Sequence, residues 1–305
     1  MEKLIFGHKS PDTDTICASL VLANLRTKLG DTVKACRLGE PNKETKFALN
    51  YLNVEVPELI SGVEENQEVI LVDHNEFAQS ADGIEKAKIK MVVDHHRVYG
   101  FETAEPLYYR AEAVGCTCTI LFKMYKENNV EVDKTMAGLM LSAIISDTLL
   151  LKSPTKTEED EKAVKELAQI AGIDYEKYGL EMLKAGTDLS DLTAQELISL
   201  DCKECSLNGK KAKIAQVNSA DISVMLARKN EIEEAMKSDI EANGVELFVF
   251  VITDIIESNS QAIVLGAETA IFERAFNTTL ENDEAYLPGV VSRKKQIVPQ
   301  IDSVL

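Results

Sequence analysis

The chain has 305 residues and carries 33 Lys and Arg against 51 Asp and Glu, which gives a formal net charge of −18. So large an acidic excess argues against broad binding to nucleic acid or to an anionic membrane surface, because both require a basic face. The hydrophobic fraction of 45% is typical of a soluble globular protein, and this length favours two domains.

The N-terminal sequence passes directly into a strand-like segment and lacks the long apolar stretch of a secretory signal. The best apolar runs, such as residues 247–252, are long enough for a strand but too short to span a membrane. The sequence therefore predicts a cytoplasmic protein without a membrane segment, whose six cysteines are reduced thiols.

The first part of the chain alternates strand and helix patterns. The predicted strands are residues 4–7, 33–37, 68–73 and 88–94. The predicted helices are residues 15–29, 43–52, 116–128, 134–148, 158–171 and 175–185. This order predicts an α/β domain over residues 1–186, with a mainly parallel sheet and helices on both faces.

The pattern changes after residue 186, where small and polar residues at 187–193 predict a hinge linker. Residues 199–207 and 211–218 are typical of a hairpin turned at Asn208-Gly209. A charged helix at 227–243 and strands at 246–256 and 260–267 follow. Residues 194–305 are therefore predicted to form a smaller α+β domain with a mixed sheet.

Histidine and aspartate cluster at the ends of three predicted strands. The segment LIFGH ends in His8 and is followed by Asp12 and Asp14, VILVDH ends in Asp73-His74, and MVVDHH ends in Asp94-His95-His96. A lone Asp there is usually a turn or helix cap, and a lone His is usually structural. All four histidines of the chain share this setting, however, and ligands bind at the carboxyl ends of parallel strands. The pattern therefore favours a site.

The ligand types in this cluster indicate a transition metal. Mixed imidazole and carboxylate ligands suit Mn²⁺, Co²⁺, Zn²⁺ or Fe²⁺. The carboxylates outnumber the needs of one ion, which favours two metals about 3.5–4 Å apart with a shared carboxylate. Asp147, at the end of an apolar helix, is a further acidic candidate.

The motifs GHKSPDTDT, LVDHNE and VVDHHR resemble the DHH phosphoesterase superfamily. With SDTLLLKSPT (146–155) and SRKKQIVP (292–299), the chain is similar to the manganese-dependent family II inorganic pyrophosphatases, from His8 to Pro299. The resemblance implies two Mn²⁺ ions per subunit, with Co²⁺ or Mg²⁺ as substitutes, a homodimer, and hydrolysis of pyrophosphate by a bridging water or hydroxide.

The resemblance also implies a role for each site residue. One metal would be held by His8, Asp12 and Asp73, and the other by Asp14, Asp73, His95 and Asp147. The catalytic and substrate-contacting side chains would be Asp12, Asp73, His96, Lys203, Arg293 and Lys294. Asp94 and His74 would not bind metal themselves but would contact the metal ligands and help to orient them. The chemistry of such a site predicts that Asp12, or another carboxylate that does not bridge the metals, steers the proton away. The placement of the motifs predicts that closure about the hinge completes the site.

Two other functions are rivals of this interpretation, and the sequence argues against the second. Exopolyphosphatase, or another DHH-type phosphoesterase, would use the same metal chemistry. Oligonucleotide-cleaving members carry a glycine-rich loop, and this chain contains no Gly-Gly pair. A non-catalytic nucleotide sensor would need a large insertion before the SDT segment, but only residues 97–146 separate the two motifs.

Overall fold

The computed structural model describes residues 2–207, without the side chain of residue 207, and residues 209–304. The chain divides into two compact units, residues 1–186 and 187–305. Each unit has its own sheet and its own hydrophobic core. Within the described residues, no helix has both the length and the apolar character that a membrane span requires.

The first unit is built on a six-stranded sheet in the order β3-β2-β1-β4-β5-β6, and every pairing is parallel. Its strands are β1 (Lys3–Phe6), β2 (Val33–Arg37), β3 (Glu58–Leu59), β4 (Glu68–Val72), β5 (Lys88–Asp94) and β6 (Tyr108–Ala111). The predicted parallel sheet is confirmed. β3 and β6 were not predicted, and both lie at the edges of the sheet.

Six α-helices of the first unit contribute to a single large core with one face of the sheet. They are α1 (Thr13–Lys28), α2 (Lys43–Tyr51), α3 (Thr117–Glu127), α4 (Lys134–Asp147), α5 (Glu158–Ala171) and α6 (Tyr175–Gly186). Ile5, Ile70 and Val93 point into this core, whereas their neighbours Phe6, Leu71 and Val92 point into a second cluster. This alternation is the period of two that a strand imposes.

The second face differs from the predicted arrangement, in which helices cover both faces. Its core contains the loop residue Ala81 together with Phe77 and Ile84, which begin two short 3₁₀-helices, Phe77–Gln79 and Ile84–Lys86. The connection from β4 to β5 spans residues 73–87 and includes Asp82 and Gly83, which favour turns. Turn-forming residues interrupt this segment, which forms two short 3₁₀-helices and no α-helix.

Directly after α4, the backbone makes a left-handed turn of three leucines. Leu149, Leu150 and Leu151 have φ values of 46°, 54° and 63°. Leu150 and Leu151 are partly buried and pack against the large core. This turn begins two residues after Asp147, the last residue of α4.

The second unit has a five-stranded sheet in the order β11-β10-β9-β8-β7. Its strands are β7 (Cys202–Leu207), β8 (Lys210–Ser219), β9 (Leu247–Asp254), β10 (Asn259–Leu265) and β11 (Glu284–Leu287). β8 and β9 are parallel and the other pairs are antiparallel, which confirms the predicted mixed sheet. Asn208, half of the predicted hairpin turn, lies outside the described residues.

Helices cover both faces of this second sheet, and each face has its own apolar core. They are α7 (Ala194–Ser199), α8 (Ile222–Leu226), α9 (Lys229–Asn243), α10 (Thr269–Phe276) and α11 (Val298–Asp302). Cys202 packs against one core and Cys205 against the other, as their spacing in a strand predicts. All six cysteines are free thiols.

Candidate metal centre

The carboxyl ends of β1, β4 and β5 and two helix ends bring the six predicted metal ligands of the first unit together. His8 and Asp73 follow β1 and β4, and His95 follows β5. Asp12 caps α1 by accepting a hydrogen bond from the Thr15 backbone N–H. The other two ligands lie in helices, Asp14 in the first turn of α1 and Asp147 at the end of α4.

The first group consists of His8, Asp12 and Asp73. His8 Nε2 lies 3.5 Å from Asp12 Oδ2 and 3.6 Å from Asp73 Oδ2. The three donor atoms lie within 4.8 Å of one another, so a single cation between them could contact all three.

The second group consists of Asp14, His95 and Asp147, whose donor atoms also lie within 4.8 Å of one another. His95 Nε2 lies 3.9 Å from Asp147 Oδ2 and 3.4 Å from Asp73 Oδ1. Asp73 therefore directs one oxygen toward the histidine of each group. This is the arrangement that a carboxylate shared by two metals requires.

Asp73 is held in place by two hydroxyl groups. Thr15 Oγ1 donates to Asp73 Oδ2 at 2.6 Å, and Thr117 Oγ1 donates to Oδ1 at 3.1 Å. The Asp73 backbone has a φ of 57°, a left-handed conformation that costs a non-glycine residue free energy and is often found at functional sites. The sequence reasoning missed both threonines.

The electrostatics of the first unit favour a cation at this centre. Burial and the charge of Asp73 raise the pKa of Asp14 to about 7, and burial and the charge of Asp14 raise the pKa of Asp147 well above its ordinary value. Burial lowers the pKa of His95, but the hydrogen bond to Asp73 and the charge of Asp14 outweigh it and raise the pKa to about 9. Clustered carboxylates resist ionisation unless a positive charge joins them.

One atom supports this conclusion independently. Asp147 Oδ2 is buried and has no hydrogen-bond partner. Buried carboxylate oxygens are normally paired, because leaving one unpaired costs free energy. A metal ion in the second group would give this oxygen a partner, so the residues present fit the divalent transition metal that the donor set predicts.

The ligands of the second group are oriented by the segment between β6 and α3. His95 Nδ1 lies 3.1 Å from the Val114 carbonyl oxygen, which can accept a proton but cannot donate one. In the neutral ring this contact places the proton on Nδ1, so Nε2 is the nitrogen that can bind a metal. Asp14 accepts hydrogen bonds from two backbone N–H groups in the first turn of α3. Thr117 N donates to Asp14 Oδ2 at 2.7 Å, and Cys118 N donates to Asp14 Oδ1 at 3.2 Å.

His96 differs from His95 in exposure. Its side chain is 52% exposed, and Nδ1 lies 3.0 Å from Oδ1 of the buried Asp94. This hydrogen bond raises the pKa of His96. Asn75 Nδ2 donates to the other oxygen of Asp94 at 2.6 Å, a contact that the sequence did not reveal. Asp94 thus orients His96 toward the open side of the site, although His96 also lies within 4.8 Å of the donor atoms of Asp73 and His95.

His74 is buried, and both of its ring nitrogens have protein partners. Nδ1 lies 2.9 Å from the Val72 carbonyl oxygen, and Nε2 lies 3.0 Å from Ser80 Oγ. Burial lowers its pKa. These contacts suit a supporting role better than metal ligation, although His74 borders a cavity of about 330 Å³ whose lining includes His8, Asp73, His96 and Arg97.

The donor atoms of Asp14, Cys116 and Cys118 also lie within 4.8 Å of one another. Burial raises the pKa of both thiols, so they stay protonated. Thiolates are the form that binds metal, so the two protonated thiols are poor metal ligands. The interpretation that Cys116-x-Cys118 is structural fits these contacts.

The three cations predicted to bind phosphate, Lys203, Arg293 and Lys294, lie in the second unit. Lys203 in β7 and Lys294 are exposed. Arg293 is mostly buried, and its guanidinium donates to the Asp201 backbone oxygen and, at 2.9 Å, to Asp201 Oδ1. Arg293 and Lys294 belong to a π-helical turn, Arg293–Ile297, capped by Ser292. The three cations are therefore placed by a strand and by a structured turn rather than by a loose tail.

Two family models match successive parts of the chain. The DHH family, N-terminal domain, matches residues 2–144, and the DHHA2 domain matches residues 180–304. A manganese-dependent inorganic pyrophosphatase of Bacillus subtilis is 56% identical over 307 residues, which cover 100% of this chain and 99% of that protein. An Exiguobacterium protein named "Probable manganese-dependent inorganic pyrophosphatase" is 60% identical over 297 residues, covering 97% and 96%.

Solved structures give a similar result. A Methanococcus jannaschii protein classed as a family II inorganic pyrophosphatase matches with a TM-score of 0.63 and 41% identity, covering 100% of this chain and 99% of that chain. An exopolyphosphatase-related protein from Bacteroides fragilis matches with a TM-score of 0.52 over 99% of this chain and 91% of that chain. At 14% identity, this second match supports the fold alone.

Proposed function

We propose that this chain, which belongs to the family of manganese-dependent inorganic pyrophosphatases, hydrolyses pyrophosphate to two orthophosphates. The observation that carries the proposal is the placement of Asp73, with one carboxylate oxygen facing His8 and the other facing His95. A site built around a shared carboxylate suits two cations and a reaction at a phosphoanhydride bond.

The proposal assigns the six ligands to two Mn²⁺ ions per subunit. One ion would be held by His8, Asp12 and Asp73, and the other by Asp14, Asp73, His95 and Asp147. When bound, such a pair lowers the pKa of water toward neutrality and neutralises phosphate charge. Co²⁺ accepts the same nitrogen and oxygen donors, and Mg²⁺ accepts the carboxylate oxygens, so both are candidate substitutes.

The protein's own side chains then position the substrate and move the proton. Asp12 is the most open of the acidic ligands, with a side chain that is 45% exposed, and it would take the proton from the attacking water. His96, held by Asp94 and with a raised pKa, would donate a hydrogen bond to a phosphate oxygen.

Positive charge for the phosphate groups would come from Lys203, Arg293 and Lys294. Pyrophosphate hydrolysis needs positioning and charge neutralisation more than covalent chemistry, so cations of this kind suit the reaction. Asp201 accepts two hydrogen bonds from one edge of the Arg293 guanidinium and so limits the movement of that group. The remaining N–H groups of Arg293 are then held in a fixed orientation in which they can donate to a phosphate. Closure about residues 187–193 remains part of the proposal.

Phosphate release from pyrophosphate tests the proposal. Metal-stripped protein is reloaded with Mn²⁺, Co²⁺, Zn²⁺ or Mg²⁺ and assayed in parallel with pyrophosphate, tripolyphosphate and a dinucleotide. Fast release from pyrophosphate alone, strongest with Mn²⁺ or Co²⁺, is expected. A preference for tripolyphosphate would identify an exopolyphosphatase, and a preference for the dinucleotide would identify a phosphodiesterase of the same superfamily.

The proposal also includes a homodimer in the cytoplasm that does not bind nucleic acid. The net charge of −18 supports the absence of nucleic-acid binding. Sedimentation equilibrium should give twice the chain mass of 33.7 kDa, and a monomer would refute the assembly while leaving the chemistry unaffected.

A further inference from the structure

A buried carboxylate outside the metal centre has an unusual set of partners. Asp160, in the first turn of α5, is 0% exposed. Its Oδ2 accepts hydrogen bonds from the backbone N–H of Gly115 at 2.8 Å and from the backbone N–H and the hydroxyl of Thr157, both at 2.7 Å. Its Oδ1 accepts the hydroxyl of Thr119 at 2.6 Å.

The contacts with Thr157 have a local explanation. Thr157 and Asp160 form a capping box at the start of α5, in which each side chain pairs with the backbone of the other residue. Such a box stabilises a helix end and works at the protein surface. It explains neither why Asp160 is fully buried nor why it also binds Gly115 and Thr119, which lie more than 40 residues earlier in the chain.

Gly115 and Thr119 flank the segment that orients the second group of ligands. The carbonyl oxygen of Val114, just before Gly115, accepts a hydrogen bond from His95 Nδ1. Thr117 and Cys118, between the two anchor points, hold Asp14 through their backbone N–H groups. The Thr117 hydroxyl also donates to Asp73. One short segment thus fixes three candidate metal ligands, and Asp160 fixes the segment.

The fit at Gly115 leaves little room for movement. A Cβ atom at this position would lie 2.8 Å from Asp160 Oδ2 and 2.8 Å from the Cγ2 of Thr148, the residue that follows Asp147. Both distances are shorter than real Cβ contacts, so the backbone at Gly115 packs directly between the Asp160 carboxylate and the end of α4. Asp160 is therefore in direct contact with the backbone of this segment as well as hydrogen-bonded to it.

We infer that Asp160 is a positioning residue for the metal centre, which acts on Asp14 and His95 through residues 114–119. The inference rests on the two-metal proposal made above. It predicts that loss of Asp160 weakens the second metal, bound by the group of Asp14, His95 and Asp147, more than the first. Loss of a side chain that orients a metal ligand typically lowers metal affinity by about 10- to 100-fold.

The test compares three variants of the full-length protein. Asp160→Ala removes the whole network, and Thr119→Val removes the anchor at one end of the segment while keeping the capping box. Thr157→Val is the matched control, because it removes the hydroxyl of the box but leaves the bonds to Gly115 and Thr119. Mn²⁺ binding to metal-stripped protein is measured by electron paramagnetic resonance of the free ion, and each variant's thermal unfolding is recorded without metal.

Asp160→Ala and Thr119→Val are expected to weaken one of two Mn²⁺ sites by about 10- to 100-fold and the other by less than about threefold. Thr157→Val should lower thermal stability but bind Mn²⁺ like the wild type. Equal affinities in Asp160→Ala and Thr157→Val, or unchanged affinity in Thr119→Val, would overturn the inference. If Asp160→Ala does not fold, Thr119→Val decides alone. Wild-type protein that binds fewer than two Mn²⁺ would instead refute the two-metal proposal.

Discussion

Replacing Asp147 by Asn should have opposite effects on the metal-free and the metal-loaded protein. Asp14 and Asp147 have donor atoms within 4.8 Å of each other, so two ionised carboxylates there would repel by about 3 kcal/mol at an effective dielectric constant of about 20. Burial and this repulsion raise the pKa of Asp147, so folding without metal bears the cost of either charging or protonating this group. The amide has nearly the shape of the carboxyl group but no charge. We therefore expect Asp147→Asn to stabilise the metal-free protein by about 1–3 kcal/mol, with the upper value set by this repulsion.

The same change removes a metal ligand. A side chain that only supports a ligand contributes about 10- to 100-fold in affinity, so the loss of a direct ligand should cost at least about 100-fold. An ion present at 100 times its dissociation constant stabilises the wild-type fold by about 2.7 kcal/mol, and after a 100-fold loss of affinity it contributes only about 0.4 kcal/mol.

Differential scanning calorimetry with and without Mn²⁺ measures both effects. For a unit of this size, about 1 kcal/mol shifts the unfolding temperature by about 2–4 °C, so the metal-free variant should melt about 2–12 °C above the wild type. Asp133→Asn is the matched control, because Asp133 caps the other end of α4 and Asn caps equally well. A metal-free variant that melts at or below the wild type and keeps the Mn²⁺-induced rise would refute the reasoning.

Three further predictions concern the rest of the site. His96→Ala should lower kcat by about 10²- to 10³-fold, the usual contribution of one hydrogen-bond donor to the charge that develops in the transition state, with Mn²⁺ affinity within about threefold; a large loss of affinity would make His96 a ligand instead. Lys294→Gln should lower kcat/KM by about 10- to 100-fold without changing Mn²⁺ binding, since charge-assisted hydrogen bonds contribute about 1.5–3 kcal/mol; unchanged kinetics would exclude Lys294 from the substrate site. The metal-free protein should lose stability as the pH rises from about 5 to 9. The pKa of Asp14 rises from its ordinary 3.8 to about 7, so the stability that this group contributes is complete below pH 3.8 and is lost as the pH rises through about 7. The pKa of His95 rises from 6.5 to about 9, so its contribution is complete below pH 6.5 and is lost as the pH rises through about 9. Unfolding temperatures that rise over this pH range would contradict this sign.

The metal centre could be anticipated from the sequence because its ligands follow strands. A parallel sheet collects the carboxyl ends of its strands at one edge, so a run that ends in His8 and another that ends in Asp73 were expected to meet. The structure brings them together, with His8 Nε2 3.6 Å from Asp73 Oδ2. Asp147 was harder to place, since it ends a helix, and its position depends on how α4 packs.

The supporting contacts could not be derived in this way. Thr117 donates to Asp73 from 44 residues away, and a threonine in a helix start carries no signal that distinguishes it from any other cap. Asp160 did carry a local signal, the T-x-x-D pattern of a capping box, but that pattern does not reveal that Gly115 packs against it. Hydrogen bonds between distant segments depend on packing, which periodicity does not encode.

The turn formed by Leu149, Leu150 and Leu151 has a consequence for the evolution of this protein. A left-handed backbone costs about 1–2 kcal/mol for each side-chain-bearing residue, so the three together hold about 3–6 kcal/mol of conformational strain. Burial of apolar side chains offsets it, since Leu150 and Leu151 pack on the core. Glycine would relieve the backbone but lose the packing, and valine or isoleucine would keep apolar surface but fit the backbone worse. Substitution by glycine and substitution by a β-branched residue are therefore both unfavourable at these positions. General substitution matrices, which consider only residue type, will overestimate how many replacements this turn tolerates.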